Sequence, residues 1–314
     1  MSDLYEKRRR EFIWYHINGD GDCNGQVLRV YAKEHGLNEQ DCFDLAYFYA
    51  TTYCCASAIF LLSQRQRIHQ DCRGFADEYK GKLVFQSDRK YVRMLDNFYK
   101  MLLTWRESLY NAAERFREKT VVQGIVSTRA ALEEAEKWYF FKRFSAYLFV
   151  ETYCDILGLE GTRETGMCYE GDSMTFVGGL FYVYGMDSEA RFVQKHHRLP
   201  VDNDTFEYLI GDLQNAVKRD GGDDNFTKLE TSLCAYEKFF KGTRYNGYYA
   251  DRQLAELTKM QDKTEFCQAC NDVYAARKIA VASVYRGEDH GWEGIRTQLK
   301  KSYQQTGRIL GCGG

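Results

Sequence analysis

Between Leu229 and Arg252 the sequence LETSLCAYEKFFKGTRYNGYYADR gathers residue types that do chemistry. Lys238, Lys241, Arg244 and Arg252 supply fixed positive charge, and Tyr245, Tyr248 and Tyr249 supply flat π faces. Guanidinium forks chelate phosphate oxygens, and tyrosine rings accept an unstacked base. Gly242 and Gly247 let backbone come close to a ligand. Glu230, Cys234 and Lys238 recur at i, i+4 and i+8, which puts them on one helical stripe beside a core face of Leu229, Leu233, Tyr236 and Phe240. The spacing alone fits a phosphate-and-base site and a helix–loop–helix with snorkelling basic side chains equally well.

Four further stretches carry chemistry-bearing residues. In FQSDRKYVR, Arg89 and Arg93 fall in the first turns of a helix that Ser87 can cap. Basic groups there oppose the helix dipole unless an anion or Asp88 offsets them. In KRFSAYLFVETY, Glu151 shares a helix side with Phe144 and Leu148, and a carboxylate among apolar neighbours gains the proton affinity of a general base. Pairing with an arginine is the structural alternative. In GMCYEGDSMTFVGG, Glu170, Asp172 and Ser173 either line a pocket or cap the next helix. DGDCNGQVLRVY places Asp20, Asp22, Asn24 and Gly25 as a calcium loop would, but Tyr31 stands where a bidentate Glu belongs. It reads as a tight turn with Asn24 as helix N-cap, whose Asp20 and Asp22 can meet a cationic amine.

Weaker patterns are read structurally. KHHR, 195–198, is a surface helix end, because adjacent histidines on a helix diverge. CQAC, Cys267 to Cys270, lacks the second ligand pair of a zinc site. The chain shows no phosphate-binding P-loop, dinucleotide fingerprint, zinc-protease helix or nucleophile elbow.

The elements that must position these groups are helices. Pro200 is the single proline in 314 residues, where average usage is about 5%. Proline breaks helix interiors, so its scarcity favours long helices. Periodicity predicts helices over 3–17, 26–35, 39–63, 87–110, 128–141, 142–157, 174–184, 188–197, 204–219, 226–240, 248–260, 264–283 and 292–303, with no convincing strands. The 39–63 segment is apolar nearly all round and belongs in the core. Gly158 and Gly185 read as helix stops, Asn38 as a cap. The expected architecture is all-α, a single multi-helix body over 1–218. A linker follows at 219–225, then a C-terminal helical region, 226–314, that contributes basic and aromatic site residues.

Composition narrows the function classes. With 43 basic and 45 acidic residues the net charge is -2, which excludes a uniformly basic nucleic-acid binder but leaves room for a local basic groove. In helix 3–17, Lys7, Arg8, Arg9 and Arg10 form the densest cluster, a solvated face or a phosphate-facing edge. No apolar run reaches the ~18–20 residues of a membrane span. Eleven cysteines at irregular spacing, with no apolar leader, fit reduced thiols in a cytosol.

Several segments together resemble a known family. RRREFIWYHINGDGD, FDLAYFYATTYCCASA, KLVFQSDRKYVR, FFKRFSAYLFVETY and above all ETSLCAYEKFFKGTRYNGYYADR are similar to the all-helical alpha-glutamyl/putrescinyl thymine pyrophosphorylases. These are also described as amino acid:DNA transferases, of phages with hypermodified thymine. The resemblance spans roughly residues 8–252, and its last segment is the most specific. It implies a cytoplasmic enzyme of the infected host. Its substrate would be double-stranded phage DNA in which 5-hydroxymethyluracil has become a pyrophosphate ester. The amine of a free amino acid or polyamine replaces pyrophosphate on the exocyclic methylene. The family has been related to helix-hairpin-helix DNA glycosylases, but the hairpin's LPGxG is reduced here to Leu199-Pro200.

That reaction assigns expected roles. Arg89, Arg93, Lys238, Lys241, Arg244 and Arg252 would hold pyrophosphate or DNA phosphates. Glu230, then Glu151, then Asp172 are the candidate bases that deprotonate the amine. Tyr15, Tyr245 and Tyr248 would stack the extruded base, and Asp20 and Asp22 would bind the amine. No cofactor is required, although a divalent metal can bridge pyrophosphate. The alternatives are a helical DNA-binding or glycosylase-like protein without amine transfer, and a calcium-regulated protein.

Overall fold

The computed structural model describes residues 3–21, 23–86, 95–162, 174–241, 244–282 and 285. The chain is all-α with one small sheet. It divides into two compact units. Unit 1 comprises Met1–Cys23, Thr162–Asp251 and Ala282–Gly314, and unit 2 comprises Asn24–Gly161 and Arg252–Val281. The 219–225 stretch lies inside unit 1.

Unit 1 is built from α1 (Asp3–Asn18), α11 (Thr175–Val183), α12 (Asp187–His196), α13 (Asn203–Arg219) and α14 (Phe226–Phe240), in chain order of the whole molecule. The apolar α11 packs against α1, α12 and α14. Its contact with α14 is backbone-close: a Cβ on Gly179 would stand 2.1 Å from the Leu233 carbonyl oxygen. Only glycine permits that approach. Phe12 and Tyr15 of α1 close the core against Tyr236 and Phe239 of α14. The basic cluster of α1 is largely turned to structural use. Arg8 pairs with Asp187 and lies over the Phe240 ring, and Arg9 pairs with Asp212 at 3.1 Å, while Lys7 and Arg10 are exposed.

Unit 2 is organised around α3 (Glu39–Thr52) and α4 (Cys55–Ser63). Asn38 caps α3 by accepting from the Asp41 N–H at 2.9 Å. The single helix expected over 39–63 is split. Thr51 and Thr52 donate their hydroxyls back to the Tyr47 and Phe48 carbonyls at 2.8 and 2.9 Å, which competes with the helical ladder. Tyr53 then takes the left-handed conformation, φ 55, and Cys54 is extended. The unit also contains α2 (Cys23–Glu34), α5 (Arg65–Gln70), α6 (Cys72–Tyr79), α7 (Leu95–Thr104), α8 (Ala113–Thr120), α9 (Thr128–Ala135), α10 (Arg143–Leu157) and α16 (Cys267–Ala280), with α8 and α10 packed on α3 and α5 and α16 on α4. Phe43, Phe116, Trp138, Phe149 and Tyr153 form the aromatic centre.

Some elements escaped the periodicity reading. Helices α5, α6 and α8 are short, and a one- or two-turn helix shows too little repeat to recognise. Strands β1 (Val121–Val122) and β2 (Ile125–Ser127) pair antiparallel across Gln123 and Gly124, both at positive φ, and β3 (Glu160–Thr162) completes the sheet. That is the backbone of a mirror-image hairpin turn, but Gln at its first position hides the usual Asn-Gly signal. The described part of the expected 87–110 helix is α7, which runs into a π-helical turn at Trp105–Leu109. The expected 292–303 helix lies outside the described residues.

Candidate anion-binding site

The stripe on α14 forms as its spacing dictates. The Cys234 thiol donates to Glu230 Oε1 at 3.3 Å. Burial, then the Glu230 carboxylate, pushes that thiol well above its ordinary range. Lys238 follows one turn later and is half-buried. Burial and then Arg244 hold its ammonium below the usual lysine range. Arg244 gets there because the chain folds back after α14, and its N–H donates to the Lys238 carbonyl at 3.3 Å.

Arg244 is also the centre of an aromatic cradle at the start of α15 (Tyr248–Met260). Its guanidinium carbon lies 4.8 Å from the Tyr248 ring centre and 4.9 Å from that of Tyr249, and it donates to the Tyr249 hydroxyl. Tyr245 meets Tyr248 edge-on at 5.9 Å and donates its hydroxyl to Asp251. Two like charges have therefore been drawn together, with the Glu237 and Glu230 carboxylates also acting on Lys238, beside the half-buried Tyr248 ring and the buried Tyr249 ring. Two adjacent cations attract an anion more strongly than either does alone. Lys241 serves differently, lying 2.8 Å from Glu237 Oε1, whose carboxyl burial pushes up.

Two expected ligands of this site are corrected. Tyr15 is 1% exposed, edge-on to Phe239 at 4.9 Å, so its ring is core packing and offers no face to a base. Asp20 is 2% exposed and accepts backbone N–H groups from Gly247 at 2.9 Å, Tyr249 at 2.7 Å and Ala250 at 3.0 Å. Burial raises its pKa while those three bonds oppose the rise. Its oxygens cap the start of α15 from across the sequence, which replaces the expected amine-binding role. Asp22, Arg89, Arg93 and Asp172 lie outside the described residues.

Arg252 and Glu151 belong to unit 2. The Arg252 guanidinium lies over the Tyr53 ring at 4.7 Å, with Nε 3.7 Å from Glu256 Oε1. Burial pushes the Glu256 carboxyl up to about 7, with Arg252 opposing. Arg252 is thus spent on an internal ion pair rather than presented as a phosphate ligand. Glu151 is buried in α10. Asn24 is not the cap of α2, which begins at Cys23; its Oδ1 accepts from the Gln253 amide at 2.6 Å.

Two perturbed carboxyls were missed by sequence reasoning. Glu256 was signalled only by its i, i+4 spacing from Arg252. Asp44 stands in the apolar α3, where a charge is out of place. It accepts from Trp105 Nε1 at 2.8 Å and Gln40 Nε2 at 2.7 Å, and burial pushes it up to about 7. Cys267 is exposed, Cys270 is buried, and the described cysteines are all free. Among the described residues, no group of three or more His, Cys, Asp and Glu is placed to hold a metal, and no helix is long and apolar enough to cross a membrane. The sequence matches no protein-family model, and no curated protein matches it.

Proposed function

We propose that the chain is a DNA-modifying transferase that replaces the pyrophosphate of 5-pyrophosphoryloxymethyl-uracil with the amine of an amino acid or polyamine. The observation that carries the reading is the pairing of Lys238 with Arg244 beside the Tyr248 and Tyr249 rings. In this reading the two cations hold the pyrophosphate, and Tyr248 with Tyr245 receives the extruded base. Glu230 removes a proton from the incoming ammonium. The neutral nitrogen attacks the exocyclic methylene carbon, a C–N bond forms, and the C–O bond breaks with its electron pair leaving on pyrophosphate. Fixed positive charge on the departing oxygens lowers that barrier without reorganisation. The host cytoplasm is where phage DNA and free amines meet.

The test is to incubate the protein with DNA carrying the pyrophosphorylated base and a panel of amines, then digest to nucleosides for mass spectrometry. An amine adduct with released pyrophosphate supports the reading. Binding without any adduct returns the chain to the class of helical DNA-binding proteins.

A further inference from the structure

The GDG turn at 19–21 has no part in the chemistry just proposed, yet its packing is among the tightest of the described residues. A Cβ on Gly19 would stand 2.3 Å from the Tyr15 ring and 2.5 Å from its carbonyl oxygen. One on Gly21 would stand 2.9 Å from the Tyr15 hydroxyl oxygen. Both flanks of Asp20 must therefore be glycine for the turn to close on Tyr15. Tyr15 in turn rests edge-on against Phe239, the residue after Lys238 on α14. On the other side, Asp20 grips the N–H groups of Gly247, Tyr249 and Ala250. Gly247 takes φ 99, open only to glycine without strain, and its neighbour Asn246 exchanges hydrogen bonds with the buried Tyr285 hydroxyl.

A continuous mechanical chain results. It runs from α14 through Phe239, Tyr15, the turn and Asp20 into the segment carrying Arg244, Tyr248 and Tyr249. Lys238 stands at one end and Arg244 at the other. We propose that Asp20 is a positioning residue that sets the spacing of the two halves of the anion site, so that Lys238 and Arg244 grip one pyrophosphate together. This rests on the reading of that pair as the pyrophosphate site. A carboxylate suits the task because it accepts several N–H groups at once without donating, and burial shields those bonds from water.

Calorimetric titration with inorganic pyrophosphate tests this without turnover. The proteins are the wild type, Asp20→Ala, Arg244→Ala and the double variant, with Asp20→Asn as a milder probe that keeps one accepting oxygen. If Asp20 acts through Arg244, Asp20→Ala weakens binding about tenfold or more in the wild-type background and less than about twofold when Arg244 is already alanine. Asp20→Asn falls between, with its urea midpoint close to wild type, and it carries the comparison alone if the alanine variant does not fold. Additive losses, or unchanged affinity in Asp20→Asn, overturn the inference while leaving the pyrophosphate site standing. A wild-type protein that does not bind pyrophosphate overturns both.

Discussion

The arginines at 244 and 252 stand eight positions apart in one motif and do opposite things. Arg244, in unit 1, is set beside another cation and two tyrosine rings. Arg252, in unit 2, is set beside Glu256 and over Tyr53. In the first arrangement a second cation stands close by, and the Glu237 and Glu230 carboxylates also act on Lys238. In the second, a carboxylate one turn along the same helix faces the guanidinium. Residue type alone therefore does not say what an arginine is set against; its neighbours in the fold do.

Removing Arg252 carries the largest expected loss of stability. Arg252→Ala takes the cation from Glu256, but a carboxyl that titrates at about 7 then picks up a proton. The charge therefore contributes about 1.4 kcal/mol near pH 8, and the lost contact with the Tyr53 ring brings the total to roughly 1–3 kcal/mol. Urea unfolding measures it, and a loss below about 1 kcal/mol would mean the pair is not self-contained. Arg244→Ala should do the reverse. Stability is nearly kept, while amine transfer falls at least ~100-fold, because the leaving group loses a charge that matters most in the transition state.

Glu256→Gln sharpens the contrast through pH. The folded carboxyl titrates at about 7, against about 4.3 when unfolded. Between those values the folded chain keeps a proton that the unfolded chain has lost. Stability from this group is therefore lost as pH rises through the window, by roughly 3 kcal/mol in total. The variant cannot titrate there, so it should gain on the wild type between pH 4.5 and pH 8, with transfer activity retained. Denaturation at the two pH values checks this, and a pH-independent difference would remove Glu256 from the account. Lys241→Ala is the smallest test. Because Lys241 is occupied by Glu237, transfer should change less than about threefold, a fraction of a kcal/mol; a loss matching Arg244→Ala would restore it to the pyrophosphate site.

Helix identity was legible where the signal is local. Helix α14 and helix α15 fall where periodicity puts them, and Gly158 and Gly185 stop their helices at φ 66 and 71. The break at Tyr53 was not legible, because an apolar run looks the same whether one helix or two cross a core. In the candidate site, the Glu230–Cys234–Lys238 stripe and the Arg244 aromatics follow from spacing. What spacing could not reveal is long-range. Asp20 meets Gly247 across most of the chain, and its carboxylate looked like a ligand because acids in Gly-rich turns usually reach solvent. The same blindness turned Tyr15 from core residue into base platform.

Whether Lys238 and Arg244 hold a leaving pyrophosphate is tested directly by a transfer reaction. Duplex DNA bearing 5-pyrophosphoryloxymethyl-uracil is incubated with the wild type and with Arg244→Ala across a panel of amino acids and polyamines, with nucleoside mass spectrometry as readout. The expected products are an amine-substituted thymine and free pyrophosphate with the wild type, and neither above background with the variant. Unaltered DNA with the wild type, or full turnover by Arg244→Ala, would contradict it.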